Sequence, residues 1–196
     1  QRLLEFSQLE FPEPRNLESM VAAASRDSGV SYSEEQTLAT RTAATSALLL
    51  VTGGPGTGKT TILNGILSLF EQMSLKCSLA APTGRAAKRL TEVTGREAST
   101  IHRLLETSID PATGKMFFVK DEDDPLRADA VIVDEMSMVD ISLLSHLLRA
   151  IPKGKRLILV GDPDQLPPVG PGFPFSDILR SNRLQAVRLT EIFRQA

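Results

Sequence analysis

Residues 53–60 read Gly-Gly-Pro-Gly-Thr-Gly-Lys-Thr and lie between a continuous apolar run at 47–52 and a helical pattern at 60–72. This G-x-x-x-x-G-K-[ST] pattern belongs at a strand-to-helix turn, where glycines let backbone N–H groups wrap a phosphate and the helix adds its positive dipole end. Lys59 is expected to reach β and γ phosphates, and Thr60 to hold Mg²⁺ through its hydroxyl. A glycine-rich turn without a ligand is the plain alternative, and the strand before the loop with the helix after it weighs against that. A chain with a strand, a phosphate loop and a helix in immediate succession is constrained toward an α/β fold.

The rest of the chain repeats that rhythm. Apolar runs bounded by breakers occur at 47–52, 76–81, 130–134 and 156–161, with a weaker one at 186–189. They are continuous rather than alternating, as befits strands covered on both faces of a parallel sheet. Helical patterns fall between them at 60–72, 84–93, 100–107 and 141–150, so we expect a mostly parallel sheet flanked by helices. Ser33 with Gln36 has capping-box spacing and predicts a helix reaching about Thr45. Residues 1–32 read as a helical lead-in broken by Pro12 and Pro14, ahead of the main unit at 33–196. Residues 109–124 carry a Pro and Gly turn before Met116-Phe117-Phe118, which suggests a small hairpin insertion or an ordinary surface loop.

Composition narrows the function classes. With 196 residues, 41% hydrophobic, the chain supports one sizeable core rather than two. Lys plus Arg number 22 against 24 Asp plus Glu, so nucleic-acid binding would have to come from a local patch. An aromatic content of 5%, with no Trp, argues against a surface built mainly of base-stacking platforms. The single cysteine, Cys77, excludes an intrachain disulfide framework and favours a cytoplasmic setting. No signal sequence is evident and no apolar run approaches the ~18 residues of a bilayer span, so no membrane partner is expected. A start at Gln1 rather than Met suggests a piece of a longer protein.

Val131-Ile132-Val133-Asp134-Glu135 puts two acids at the C-terminal end of a buried strand, the edge where open α/β sheets bind ligands. Asp134 fits an Mg²⁺-linked carboxylate, and Glu135 a group that orients or deprotonates the attacking water. A solvated acidic turn is the alternative, weakened by the phosphate loop. No Asn-Lys-x-Asp element for guanine is present.

After the fourth apolar run comes Gly161-Asp162-Pro163-Asp164-Gln165-Leu166-Pro167-Pro168, and Leu189-Thr190-Glu191-Ile192-Phe193-Arg194-Gln195 closes the chain. With these motifs in order, residues 33–196 resemble a superfamily 1 helicase. In particular they resemble the first RecA-like motor domain of the RecD-like 5′-to-3′ DNA helicases, which include the exonuclease V alpha subunit and the helicase part of TraA-type relaxases. The resemblance implies a RecA-like P-loop NTPase domain using ATP and Mg²⁺. It makes Gln36 the adenine-reading glutamine and Gly53, Gly54, Pro55, Gly56, Thr57, Gly58, Lys59, Thr60 and Thr61 the nucleotide loop. It makes Asp134 and Glu135 the second motif, Gln165 a γ-phosphate sensor and Arg194 a phosphate clamp. Gln165 also carries an amide able to donate to a phosphate oxygen, and Arg194 also reads as a surface arginine.

The DNA contacts implied are Pro82, Thr83, Gly84 and Arg85, then Thr100 and His102, then Pro167 and Pro168. From residue 76 to 103, six basic residues (Lys76, Arg85, Lys88, Arg89, Arg96, Arg103) face two acidic ones (Glu92, Glu97), an excess of four. Beside helix starts this excess suits a phosphodiester strand read through its backbone, and a solvated charged helix face is the alternative. The partners implied are single-stranded DNA and a second motor domain of the same parent chain, with nuclease-complex subunits and a fused relaxase both left open. A fragment lacking the second domain's arginine finger is expected to bind ATP weakly and hydrolyse it slowly. The hairpin at 109–124 is a candidate strand-separating pin, although packing of Met116-Phe117-Phe118 on the domain is preferred. A superfamily 1 RNA helicase and a non-motor nucleotide-binding regulatory module are the competing readings.

Overall fold

The computed structural model describes residues 2–191. Its elements in chain order begin with α1 (Arg2–Ser7), α2 (Leu17–Asp27), α3 (Glu34–Thr45), β1 (Leu48–Gly53), α4 (Lys59–Gln72), β2 (Cys77–Ala81), α5 (Gly84–Thr94) and β3 (Ala98–Thr100). They continue with α6 (Ile101–Leu104), β4 (Thr107–Ile109), β5 (Met116–Phe118), β6 (Ala130–Val133), α7 (Ile141–Ala150), β7 (Arg156–Gly161), α8 (Pro174–Ser181) and β8 (Ala186–Leu189). Six strands form one sheet in the order β3-β2-β6-β7-β1-β8, and every pairing in it is parallel. The strands β4 and β5 pair antiparallel outside it.

Alternation within the strands splits the core. Leu48, Leu50, Val131, Val133, Leu157 and Leu159 face one layer, built from Phe6, Leu105, Leu144, Leu147 and Phe175 on or beside α1, α6, α7 and α8. Leu49, Val51, Ala130, Ile132, Ile158 and Val160 face the other, where α2, α3 and α4 supply Leu17, Met20, Ala39, Ala43, Ile62, Ile66 and Phe70. Both strand faces are dry, which is why the runs are continuously apolar. Phe6, Leu17 and Met20 of the lead-in are 2%, 2% and 5% exposed, so residues before 33 contribute to both layers.

Three local features differ from the sequence expectation. The helix expected over 100–107 ends at Leu104, because Leu105 is its buried C-cap and Glu106 turns left-handed at φ 53° into β4. Strand β3 is half-buried throughout and has no apolar run to announce it. Helix α8 follows a loop dense in Pro and Gly, and its Phe175 ring occupies the space beside Gly161, where a Cβ would come within 2.8 Å of it. Among the described residues no helix is long and apolar enough to cross a membrane.

Arg156 is a buried cation at the start of β7. Its Nε and Nη2 donate to the Ala43 and Ala44 carbonyls at 3.3 and 2.9 Å, and the guanidinium lies 3.7 Å from the Phe11 ring centroid. It thus caps the negative end of α3 and clamps the N-terminal segment. Arg156→Ala is expected to cost about 2–4 kcal/mol in denaturant unfolding, by orphaning carbonyls and losing the cation–π contact. A change under about 0.5 kcal/mol, the range of ordinary surface substitutions, would contradict this role.

Candidate functional site

The sheet order brings three loops to one carboxyl edge: the phosphate loop after β1, Asp134-Glu135 after β6 and Asp162–Gln165 after β7, which lies between them. This is the kind of crevice where parallel sheets bind ligands. The cavity there measures about 910 Å³ and is lined by Gln36, residues 54–56 and 58–61, Arg89, Asp134, Glu135, Asp162 and Gln165, among others. Gly53 and Thr57 are not on its wall and shape the loop instead. A Cβ at Gly53 would fall 2.8 Å from the Leu189 carbonyl oxygen, and the Thr57 hydroxyl donates to Gly54 O at 2.8 Å. Gly56 and Gly58 take left-handed φ of 76° and 83°, conformations that favour glycine.

Lys59 opens α4 and its Nζ donates to the Gly53 and Gly54 carbonyls at 2.5 and 2.8 Å, with Asp162 Oδ2 at 4.0 Å. Burial pulls its ammonium below the usual lysine range, opposed by the Asp162 and Asp134 charges. Burial likewise pushes the Asp134 carboxyl up, opposed by the Glu135 N–H that donates to Oδ1 at 2.9 Å and by Lys59. Glu135 is also pushed up, first by burial and then by Asp134, with Arg89 and Arg85 acting the other way. Its backbone is left-handed, φ 55° and ψ 40°, a strained state for a non-glycine residue. Clustered, oppositely perturbed groups in a cleft characterise reactive sites.

Gln36 is 1% exposed and reaches the cavity from the first turn of α3. Its Oε1 accepts the Ser33 N–H at 3.0 Å while Ser33 Oγ accepts the Gln36 N–H at 3.3 Å, so the capping box itself aims the side chain. Its Nε2 is buried with no partner among the described residues, leaving donors for a ligand. Tyr32, just before the cap, donates to Ala24 O at 3.1 Å and occupies the space a side chain on Gly65 would need.

The residues expected to touch DNA lie on the same edge beyond this cavity. Parallel register sets Ala81 beside Thr100, so the Thr83 and Thr100 caps start helices from adjacent strands. Thr83 Oγ1 accepts from Ala86 N at 3.2 Å and Thr100 Oγ1 from Arg103 N at 3.1 Å. Pro82 and Thr83 are half-buried, while Gly84, Arg85, His102 and Pro167 are exposed and Pro168 is half-buried. The basic excess does not all reach this edge. Lys76 precedes β2 and Arg96 precedes β3, at the opposite edge, and Arg96 pairs with Glu71 at 2.6 Å. Arg194 lies outside the described residues.

The β4–β5 strands place Phe118 between both histidines of the chain, with ring centroids 5.6 Å from His102 and 4.9 Å from His146. Met116 and Phe117 remain 70% and 48% exposed, so the apolar trio divides between packing and solvent. Arg89 and Asp162 are the charged cavity residues to which the sequence assigns no nucleotide role. Asp162 sat in a recognised motif with no role attached, and Arg89 was grouped with the DNA-facing cations.

An AAA domain family model matches residues 36–171. The chain is 44% identical over 164 residues to the ATP-dependent RecD2 DNA helicase of Deinococcus radiodurans, covering 84% of this chain and 22% of that protein. It is 39% identical to the RecBCD enzyme subunit RecD of Mycolicibacterium smegmatis, covering 74% and 30%. The chain belongs to the RecD-like superfamily 1 helicases. It spans between about a fifth and a third of the length of these curated relatives. The Pif1 helicase of Candida albicans shares the fold at a TM-score of 0.58 and 27% identity, over 85% of this chain and 41% of that one. A structure of two coordinating Pif1 helicases at forked double-stranded DNA matches equally, at 0.58 and 26%, over 85% and 45%.

Proposed function

We propose that this domain is the ATP-binding first motor domain of a longer DNA helicase that couples ATP hydrolysis to 5′-to-3′ translocation on single-stranded DNA and duplex unwinding, in recombination, repair or conjugation. The observation that carries the reading is the convergence of Lys59, Asp134, Glu135, Asp162 and Gln165 on one cavity, beside two capped helix starts on neighbouring strands. The DNA-helicase name of the Deinococcus radiodurans relative, which matches 84% of this chain, supports the DNA-motor class.

The residues present fit a nucleotide with Mg²⁺. The unpartnered Gln36 Nε2 offers donors to an acceptor on the adenine edge. The Thr60 hydroxyl and Asp134 form the sparse oxygen set that Mg²⁺ takes when phosphate oxygens and waters complete its shell. When bound, Mg²⁺ neutralises developing phosphoryl charge.

In this reading Lys59 exchanges its loop carbonyls for β and γ phosphate oxygens. Glu135, held by its strained backbone, orients and deprotonates the attacking water. Gln165 reports γ-phosphate loss through the loop carrying Pro167 and Pro168, and Arg194 adds a clamp. The second motor domain of the parent chain supplies a trans arginine, worth about 10³–10⁵ in rate for such enzymes, and opening and closing against it drives stepping. Contacts from Pro82, Thr83, Gly84, Arg85, Thr100 and His102 read the backbone of the strand and not its bases. The parent acts alone, in a nuclease complex or fused to a relaxase, in the cytoplasm.

The test is ATP hydrolysis by the full-length parent with single-stranded DNA, with RNA and with neither. Strong stimulation by DNA alone is expected. Preferential stimulation by RNA would move the protein to the RNA helicases, and no stimulation despite nucleotide binding would favour a regulatory module. Removing residues 109–118 in the same protein is expected to spare DNA-stimulated ATPase and abolish forked-duplex unwinding, through loss of exposed Met116 and Phe117. Retained unwinding would leave the hairpin a packing element.

A further inference from the structure

The four charged residues of α5 at 85, 88, 89 and 92 share i, i+3 and i+4 spacing, yet the tertiary structure divides them. At about 100° per residue, Ala86, Arg89, Leu90 and Val93 point to one side, and all four line the nucleotide cavity. Arg85, Lys88 and Glu92 are not on its wall, and Lys88 pairs with Glu92 at 4.0 Å on the outer face. Arg89 therefore faces the triphosphate side while Arg85, one turn earlier, stands at the exposed start of the helix.

Lys59 and Arg89 are the cations among the cavity-lining residues, against Asp134, Glu135 and Asp162. Lys59 already has Asp162 at 4.0 Å, whereas Arg89 forms no ion pair among the described residues. Its charge nevertheless acts on Lys59, Asp134 and Glu135, so it lies within electrostatic reach of the groups that handle the phosphoryl. A guanidinium fork matches two non-bridging phosphate oxygens, a geometry that an ammonium cannot offer.

We propose that Arg89 binds the terminal phosphate of the nucleoside triphosphate from within this domain, making α5 a rigid link between that phosphate and the nucleic-acid strand held at Thr83, Gly84 and Arg85. The inference rests on the ATP-motor reading and deepens it. The first two turns of one helix then hold two anions, and loss of the terminal phosphate releases Arg89 while the helix start stays on the strand. This gives a route from hydrolysis to the DNA track that is separate from the loop after β7.

The experiment titrates the full-length protein with a fluorescent non-hydrolysable ATP analogue, with fluorescent ADP, and with an oligo-dT strand in the absence of nucleotide. For Arg89→Gln the triphosphate analogue is expected to weaken about 10-fold or more, the scale of one charge-assisted contact. ADP and oligo-dT affinities are expected to change less than about twofold, and Arg89→Lys to recover only part of the loss. Equal weakening of ADP and triphosphate, no weakening of either, or a selective loss of oligo-dT affinity would each overturn the proposal. Lys59→Ala in the same titration separates the two levels: triphosphate binding lost there and kept in Arg89→Gln defeats the inference alone, and binding kept in both defeats the ATP-motor reading. Arg89 is exposed, so an unchanged thermal midpoint checks that the variant is folded.

Discussion

Glu135→Gln in the full-length protein is expected to lower ATP turnover about 10²–10⁴-fold, the usual worth of a positioned general base, while ATP affinity stays within about twofold. The side chain leaves a left-handed residue two positions after β6, so the strand end sets the direction of its Cα–Cβ bond. Burial and then the neighbouring Asp134 push its carboxyl up, toward better proton-accepting strength, and Arg89 and Arg85 act the other way. Glutamine keeps the shape and removes the proton acceptor. Steady-state hydrolysis paired with nucleotide titration reads the two quantities separately. Equal loss of both would show that Glu135 holds the nucleotide, and the division of labour with Asp134 would fall.

Lys59→Ala is expected to abolish measurable hydrolysis, by about 10²–10³ at least for one lost transition-state donor, and to weaken triphosphate binding as well. The ammonium already sits on the Gly53 and Gly54 carbonyls, the position from which it turns to a phosphate without moving its stem. Losing it also leaves Asp162, 2% exposed, with its cationic neighbour removed. The variant is therefore compared with wild type by thermal unfolding before kinetics. Unchanged turnover in a folded Lys59→Ala protein would reject the phosphate-cradle assignment.

The fold class was legible because each buried strand carries its own signal. Runs such as Leu157–Val160 are apolar at every position only if both faces are covered, and Ser33 with Gln36 encodes a cap within four residues. Strand β3 was not legible, since a half-buried three-residue strand has no pattern to repeat. The break at Glu106 was hidden for a related reason: a left-handed glutamate looks like any other glutamate in sequence. The hairpin's turn residues were visible, yet the division of labour within it was not, because Phe118 is set apart from Met116 and Phe117 by packing on a core layer and on two histidines distant in the chain.

By itself the sequence determined the chemistry on offer: the phosphate loop, the Asp134-Glu135 pair and their attachment to strand ends are all encoded within a few residues of one another. Tertiary structure alone decided which of those groups meet, through the β6-β7-β1 order that joins loops about a hundred residues apart. It also decided where the cations go, sending Lys76 and Arg96 to the far edge and placing Arg89, but not Arg85, on the wall of the nucleotide cavity. The physical reason is that charge along a helix is read by rotation and charge along a parallel strand by edge. Both are defined only once neighbouring elements fix which face is inside.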